Sequence, residues 1–301
     1  MRTSKIGVVA ASLNDDARGA ARIARAMGFA GLLFDAVSAS LDVTALSQTG
    51  RREFAHVLSS QAQAMIGLRA ELGNKGFGPG ADVDRQLARL DPICRAAADL
   101  RAEVVCLDLG SLPAVAENAA PKPKVTPDQA GLIIIPQAAP ELAPEPVTST
   151  STPDPAFVSQ VDTALVALGE IAERYAITVA LSSSLSSFAA LERAIGAARC
   201  PWFGVDLDAV AMLRDAWTTD EVFSRLGSLV RHVRARDAVK GEGARTKPTI
   251  LGRGSVSWRE LLGALDASDY RNWITIDPME PSDRTGAARA GLAQLRAFLT
   301  S

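Results

Sequence analysis

Acidic and basic side chains stand at the ends of short apolar runs along most of this sequence. A carboxylate in such a position can act as a general base or bind a cation, and an arginine can stabilise a developing negative charge. The recurrence predicts that one face of the molecule gathers the groups that do chemistry. The acidic positions are Asp35, Glu71, Asp108, Asp208, Asp237 and Asp277.

One apolar run ends in two acids that share a side. Asp206 and Asp208 flank a leucine in GVDLD, and because strand side chains alternate in direction, both acids point the same way. Two carboxylates at a common opening favour a cation, so we assign them as ligands of Mg or Mn, if the site holds a metal at all. In the alternative, Asp208 caps a helix that begins near Ala209.

A second run, HVRARD, places His232, Arg234 and Arg236 on a common side by the same alternation. Near the mouth of a site, the two arginines would bind a carboxylate or phosphate group. In the alternative, they pair with the acids of this strand and the preceding one in a structural ion network. His232 lies earlier in the strand, where we expect a core histidine and not a ligand.

The segment after this run, AVKGEGARTKPTILGRGSVSW, sets basic side chains among glycines. Backbone amides in such turns bind anions, and basic side chains strengthen that binding. The segment lacks the GxxxxGK[ST] pattern of a phosphate loop. The residues that we predict to bind substrate are Asp35, Lys75, Arg236, Lys240, Lys247 and Arg253.

The apolar runs predict eight buried parallel strands, because they are almost continuously hydrophobic. Their ranges are Lys5–Ala10, Gly31–Asp35, Met65–Glu71, Glu103–Leu109, Ile177–Leu181, Phe203–Leu207, Leu229–Ala235 and Trp273–Ile276. Amphipathic stretches between and after them predict helices. These are Asp15–Met27, Arg51–Ala64, Asp82–Leu100, Ala156–Tyr175, Phe188–Ala198, Thr219–Leu226, Trp258–Leu265 and Ala287–Leu299.

This alternation predicts an α/β protein made of a single (β/α)8 barrel over residues 1–301, because parallel strands need helical crossovers and eight strands favour closure. Active sites of such barrels lie at the carboxyl ends of the strands. One segment, residues 112–155, interrupts the rhythm with proline, alanine, serine and threonine. We expect a loop or lid inserted after the fourth strand, packed on the rim of the barrel or bound to a partner.

Composition limits the function classes. The chain has 301 residues, a net charge of −2 and 5% aromatic residues, which argues against nucleic acid as a partner. Three cysteines without zinc-like spacing fit a reducing compartment. The first apolar stretch is too short for a membrane span and fits a strand better than a signal peptide. We therefore expect a cytoplasmic protein, without a membrane partner, that binds a small molecule.

Several pieces, in their order and spacing, resemble the xylose isomerase-like barrel superfamily of sugar isomerases and epimerases. They are KIGVVAASL, GFAGLLFDA, FGVDLDAV, HVRARDAV, LGRGSVSWRELLGAL and DYRNWITIDP. The resemblance implies a divalent metal held after strands five to eight by Glu, Asp, His and Glu. The corresponding residues here are Ser182, Asp208, Arg234 and Asp277. Of these four positions, only Asp208 has the residue type that the resemblance implies. An arginine at a ligand position repels a metal ion and can occupy its volume.

Two functions remain open. The first is a sugar or sugar-acid isomerase, epimerase or related lyase that moves a proton next to a carbonyl. In it, Glu71 or Asp277 is the base and Arg234 stabilises the oxygen that gains charge, with an altered or absent metal site. The second is a non-catalytic barrel that binds a carbohydrate, an anionic metabolite or a protein partner.

Overall fold

Eight parallel strands close into a barrel, as the alternating pattern predicts. The computed structural model describes residues 5–73, 75–114, 154–243, 245–278 and 282–300. The predicted insertion 112–155 lies outside these residues except at its ends. The barrel strands are β1 (Lys5–Val9), β2 (Gly31–Asp35), β3 (Ala64–Ala70), β4 (Val104–Asp108), β5 (Val179–Ser182), β6 (Phe203–Asp208), β7 (Val230–Ala235) and β10 (Trp273–Ile276).

Helices cover the outside of the barrel and connect its strands. They are α1 (Ala17–Met27), α2 (Gln48–Ser60), α3 (Val83–Asp99), α4 (Pro155–Tyr175), α5 (Phe188–Ala198), α6 (Ala209–Asp215), α7 (Thr219–Leu226), α8 (Trp258–Ala267) and α9 (Arg284–Thr300). Helix α1 shows how local sequence sets the ends: the side chain of Asp16 accepts a hydrogen bond from the Gly19 amide, and Gly28 ends the helix at φ +86°. None of the described helices combines the length and apolar character that crossing a bilayer requires.

The short helix α6 begins directly after β6, at Ala209, as the helix-cap alternative for Asp208 predicts. One further element was not predicted from the sequence. A two-stranded antiparallel hairpin, β8 (Asp237–Lys240) and β9 (Thr246–Thr249), follows β7 in the basic, glycine-rich segment. The lysines of that segment therefore lie on a projecting hairpin and not in an anion-binding turn at the barrel axis.

Closure aligns the carboxyl ends of the strands. Each strand pairs with its neighbours in sequence, and β1 pairs with β10 through Lys5↔Trp273 to Val8↔Ile276. At the rim, Asp208 on β6 lies opposite Arg234 on β7. The charged residues that end the strands are therefore brought to one opening, the mouth of the barrel.

The interior of the barrel is apolar only in its lower part. Buried side chains pack there against one another, and the alternation of strand side chains then directs the residues two positions further on toward the mouth. This places Asp35, Asp108 and Ser182 at the mouth. The apolar cluster consists of Val9, Leu33, Ile66, Val104, Cys106, Ala180 and Trp273.

Asp237 organises the loop between the hairpin and α8. Its carboxylate accepts hydrogen bonds from the amides of Gly252 (2.8 Å), Gly254 (3.1 Å) and Val256 (3.3 Å) and from Nε1 of Trp258 (3.2 Å). The side chain is buried. The predicted ion network is confirmed for Arg234 with Asp206 and for Arg236 with Asp208. It is wrong for Asp237, whose two oxygens accept hydrogen bonds from backbone amides and from Trp258.

Replacing Asp237 with asparagine should lower the free energy of unfolding by about 3 kcal/mol, because an amide group would face several buried donors that need an acceptor. Urea denaturation measures this. Asp266→Asn is a matched control, since that carboxylate is half-exposed and lies 3.9 Å from Arg271. Equal stability of the two variants would contradict the role given to Asp237.

Candidate active site

Charged and polar side chains ring the mouth of the barrel at the end of seven strands. Four are acids, two are arginines and one is a serine, so the ring is not the purely acidic site that binds a cation. Its members are Asp35, Arg69, Asp108, Ser182, Asp208, Arg234 and Asp277.

The ring and the layer below it contain a chain of alternating charges. Arg69 donates from Nε to Asp35 at 2.6 Å and from Nη1 to Oδ2 of Asp277 at 3.4 Å. Nε of Arg234 lies 3.9 Å from the same oxygen, and its Nη2 donates to Asp206 at 2.6 Å. One carboxylate oxygen of Asp277 therefore lies between two guanidinium groups.

His232 extends this chain into the interior. Its Nδ1 lies 2.7 Å from the Asp206 carboxylate and its Nε2 lies 2.7 Å from the hydroxyl of Thr275. Burial alone would lower the pKa of His232, but the neighbouring Cys106 and Asp206 outweigh it and raise the pKa to about 10. The raised pKa favours the protonated imidazole, in which Nδ1 donates to Asp206 and Nε2 donates to Thr275. The structure agrees with the expectation of a core histidine.

Asp206 is ionised although it is fully buried. Burial alone would raise the pKa of Asp206, but the charges of Arg234 and His232 and their hydrogen bonds hold it well below its usual value. The pKa of Arg234 is raised in turn, because the charges of nearby carboxylates, Asp206 first, outweigh the effect of burial. A buried charge requires such partners, and here each neighbour supplies one.

Asp208 makes a second, separate ion pair. Nε of Arg236 donates to both of its carboxylate oxygens at 2.9 Å, and the amide of Val210 donates to Oδ1 at 2.9 Å. The helix-cap prediction is therefore confirmed. The cation that this acid attracts is an arginine of the next strand.

A cavity of about 650 Å³ opens above the ring. Arg69 and Arg234 line it, together with Glu71, Asp108 and Ser184. Glu71 is exposed and has no hydrogen-bond or ion-pair partner among the described residues. It is thus a carboxylate without a partner in the described part of the chain, whereas Asp35, Asp208 and Asp277 in the ring form ion pairs with arginines.

The loops after β3 and β4 join to form one wall of the cavity. Gly76 and Gly110 form an isolated antiparallel bridge, with φ of +53° and +72°. A Cβ at Gly76 would lie 2.1 Å from the carbonyl oxygen of Leu109, so this close approach requires glycine. One oxygen of Asp108 accepts hydrogen bonds from the amides of Gly110 (2.9 Å) and Ser184 (3.2 Å), which connects this wall to the loop after β5.

The structure brings some predicted site residues together and separates others. Glu71 and Arg234 line the cavity, and Asp277 lies in the ring directly beneath it. Asp35 forms an ion pair with Arg69, and Arg236 forms one with Asp208. The exposed basic residues lie elsewhere: Lys240 and Lys247 on the hairpin, Arg253 in the loop before α8, and Lys75 against the carbonyl of Gly80.

Sequence reasoning missed Arg69, which contacts both Asp35 and Asp277. A signal was present, because Arg69 stands two residues before Glu71 in MIGLRAE and alternation puts both on the same side. The contact with Asp277 spans 208 residues of sequence, however, and only closure of the barrel creates it.

The residues at the positions where the resemblance implies a metal do not fit a divalent cation. Both oxygens of Asp208 face Arg236, and Oδ2 of Asp277 faces Arg69 and Arg234. Ser182 offers a neutral hydroxyl, and Arg234 is itself a cation. Among the described residues, Oδ1 of Asp277 and the hydroxyl of Ser182 are buried without a hydrogen-bond partner, but the guanidinium group of Arg234 beside Asp277 repels a divalent cation at this position.

A deeper group of ligand-type atoms lies inside the barrel. It consists of three buried residues, Cys106, Asp206 and His232. Each offers one sulfur, oxygen or nitrogen atom, and these three atoms lie within 4.8 Å of one another. Arg234 and Thr275 also bind this group, since the first donates to Asp206 and the second pairs with His232. Both nitrogens of His232 already have hydrogen-bond partners at 2.7 Å, Asp206 and Thr275, so a metal ion would have to displace one of them.

The fold and the ring define a (β/α)8 barrel with its polar site at the carboxyl ends of the strands. The family model of the xylose isomerase-like TIM barrel matches residues 21–298, so the chain belongs to this family. No curated protein matches the sequence.

Solved structures share this fold at low sequence identity. A xylose isomerase domain protein from Planctomyces limnophilus has a TM-score of 0.72 and 16% identity, over 99% of this chain and 96% of its own. A 3-keto-D-glucoside 4-epimerase from E. coli has a TM-score of 0.66 and 17% identity, over 98% and 100%. A D-psicose 3-epimerase from Clostridium cellulolyticum H10, with D-tagatose, has a TM-score of 0.67 and 14% identity, over 98% and 99%.

The protonated state of His232 predicts a pH dependence of stability. The pKa is raised from an unfolded value near 6.5 to about 10, so its contribution is complete below pH 6.5 and is lost as the pH rises through 10. The free energy of unfolding of the wild type should therefore fall by a few kcal/mol between these values. His232→Gln cannot titrate and should show a smaller fall, as chemical denaturation at several pH values would reveal. Parallel curves would contradict a charged His232.

Added Mn or Mg should leave the thermal unfolding temperature of the wild type unchanged, because only ions that bind the folded state stabilise it. Differential scanning calorimetry with and without about 1 mM metal tests the donor-set reasoning. A metal-dependent rise that disappears in Asp208→Asn would show that the ring opens to accept an ion.

Proposed function

We propose that this protein is an isomerase or epimerase that acts on a small sugar-like carbonyl compound in the cavity at the barrel mouth. The single observation that supports this most is that one cavity is lined both by Glu71, a carboxylate unpaired among the described residues, and by two guanidinium groups, those of Arg69 and Arg234. A base and an electrophile are the two groups that proton transfer next to a carbonyl requires.

The charge balance favours a neutral, hydroxylated substrate over an anionic one. In the chain of alternating charges, the cations Arg69, Arg234 and His232 are balanced by three carboxylates. These six side chains together therefore have no net charge. Glu71 and Asp108 then make the cavity negative. Hydroxyl groups donate well to carboxylates, whereas a second anion would be repelled.

In the proposed reaction, Glu71 removes a proton from the carbon next to the carbonyl. The electron pair moves to the carbonyl oxygen, and the guanidinium group of Arg234 stabilises the charge that develops there. For isomerisation, the hydroxyl proton moves from one oxygen of the enediolate to the other, and Glu71 returns its proton to the former carbonyl carbon. For epimerisation, a proton from solvent is added to the opposite face of the first carbon, and Glu71 releases its own proton to solvent. Asp277 contacts both arginines and keeps them side by side. No step requires a metal ion.

A non-catalytic barrel that binds a carbohydrate is the second candidate. The observation that favours it is the pairing of Asp208 and Asp277 with arginines, at positions where the resemblance implies metal ligands. The two candidates differ in one measurable property, since only the enzyme exchanges a carbon-bound proton of its ligand with solvent.

Incubation of the protein with a panel of ketoses and aldoses in D2O should introduce deuterium next to the carbonyl of the substrate, which mass spectrometry detects without knowledge of the product. Glu71→Gln should slow the exchange about 100-fold or more, because the amide cannot accept the proton. Glu170→Gln removes an exposed charge on α4 and should have no effect. Sugar binding without exchange would favour the non-catalytic candidate.

A further inference from the structure

Each of the two cavity arginines keeps one terminal nitrogen free. Arg69 uses Nε and Nη1 on Asp35 and Asp277, and Arg234 uses Nη2 and Nε on Asp206 and Asp277. Nη2 of Arg69 and Nη1 of Arg234 have no partner among the described residues. Both side chains line the same cavity and approach the same oxygen of Asp277, so their free nitrogens belong to one site.

Two neighbouring guanidinium groups that are fixed by buried carboxylates are suited to a planar group with two oxygens. Guanidinium N–H groups donate in a plane and bind carboxylate-like groups more strongly than neutral ones. Asp108 adds an acceptor, because its hydrogen bonds to backbone use only Oδ1 and leave Oδ2 for a ligand hydroxyl. The set matches an anion whose charged oxygen and hydroxyl oxygen stand on adjacent carbons.

Glu71 opposes such an anion while it is itself charged. It lines the same cavity and forms no ion pair among the described residues, so it repels a bound anion. Once Glu71 has taken a proton from the substrate, that repulsion disappears and the new negative charge lies on the ligand. The charge of the whole site stays the same, and only its position changes.

We propose that Arg69 and Arg234 form a two-point binding site for the enediolate formed during the reaction, and that Glu71 makes this site selective for the anion only after proton transfer. This rests on the proposed function, and it adds a second arginine that the sequence did not assign. The proton leaves carbon for the Glu71 carboxylate, and the electron pair of the C–H bond forms the new C=C bond. The π electron pair of the carbonyl group moves to the oxygen that the arginines bind.

Glycolate is the probe, because its carboxylate and hydroxyl imitate the two oxygens of an enediolate. Isothermal titration at constant ionic strength should show that Glu71→Gln binds glycolate at least about tenfold more tightly than the wild type, since a like charge is removed. Glu170→Gln should bind as the wild type does. Acetate, which lacks the hydroxyl, should gain less from Glu71→Gln than glycolate gains.

The guanidinium groups are tested in the same background. Adding Arg69→Met to Glu71→Gln should abolish most of the gain, and circular dichroism confirms that the double variant is folded. Arg234→Lys, which keeps the charge but loses the planar fork, provides a second test if the methionine variant does not fold. Equal glycolate affinity of the wild type and Glu71→Gln, or a gain that survives both arginine changes, would overturn the inference.

The outcome is separable from that of the proposed function. If deuterium exchanges into a sugar but Glu71→Gln does not bind glycolate more tightly, the enzyme proposal is supported and the two-arginine site is contradicted. If Glu71→Gln binds glycolate more tightly but no deuterium exchange occurs, the two arginines form a binding site for hydroxy acids and the catalytic proposal is contradicted.

Discussion

A chain of alternating charges through the barrel mouth is the interaction on which the rest of the site depends. It runs from His232 through Asp206, Arg234, Asp277 and Arg69 to Asp35. A single buried ion is costly, and pairing offsets that cost only when every charge has a partner in good geometry. Each member is therefore fixed by the next, and the loss of one leaves a neighbour uncompensated. This explains how a barrel interior can hold so many ions and remain one structure.

The chain of alternating charges also separates carboxylates with a structural role from those that can react. Most carboxylates at the strand ends are used by arginines or by backbone amides, as with Asp208 and Asp237. Among the described residues of the mouth, the groups left for a ligand include the carboxylate of Glu71, one oxygen of Asp108 and one nitrogen on each of two arginines. Oδ1 of Asp277 and the hydroxyl of Ser182 also have no hydrogen-bond partner within the described part of the chain. A guanidinium group differs from a metal ion here, because it donates hydrogen bonds in fixed directions and cannot exchange its ligands. A site built this way is preorganised for one charge distribution.

The surrounding fold supplies the rigidity that this requires. Strand pairing fixes the register of the ring, and the close glycine contact between the loops after β3 and β4 fixes the wall that presents Asp108. On the other side, Asp237 gathers the loop before α8 through backbone donors. These contacts are local and do not involve the ligand, so the geometry of the mouth is set before anything binds.

The sequence by itself determined the barrel, because buried strands and amphipathic helices leave distinct periodic patterns, and it placed the pairs Asp206 with Asp208 and Arg234 with Arg236 on common sides through strand alternation. It also indicated the cap at Asp208 and the core position of His232. Only the tertiary structure decided the partners. Arg69 and Asp277 meet across 208 residues because the barrel closes. Lys240 and Lys247 lie exposed on the hairpin after β7 and do not line the cavity. Periodicity is a local property of the chain, whereas the pairing of charges depends on which strand ends closure brings face to face.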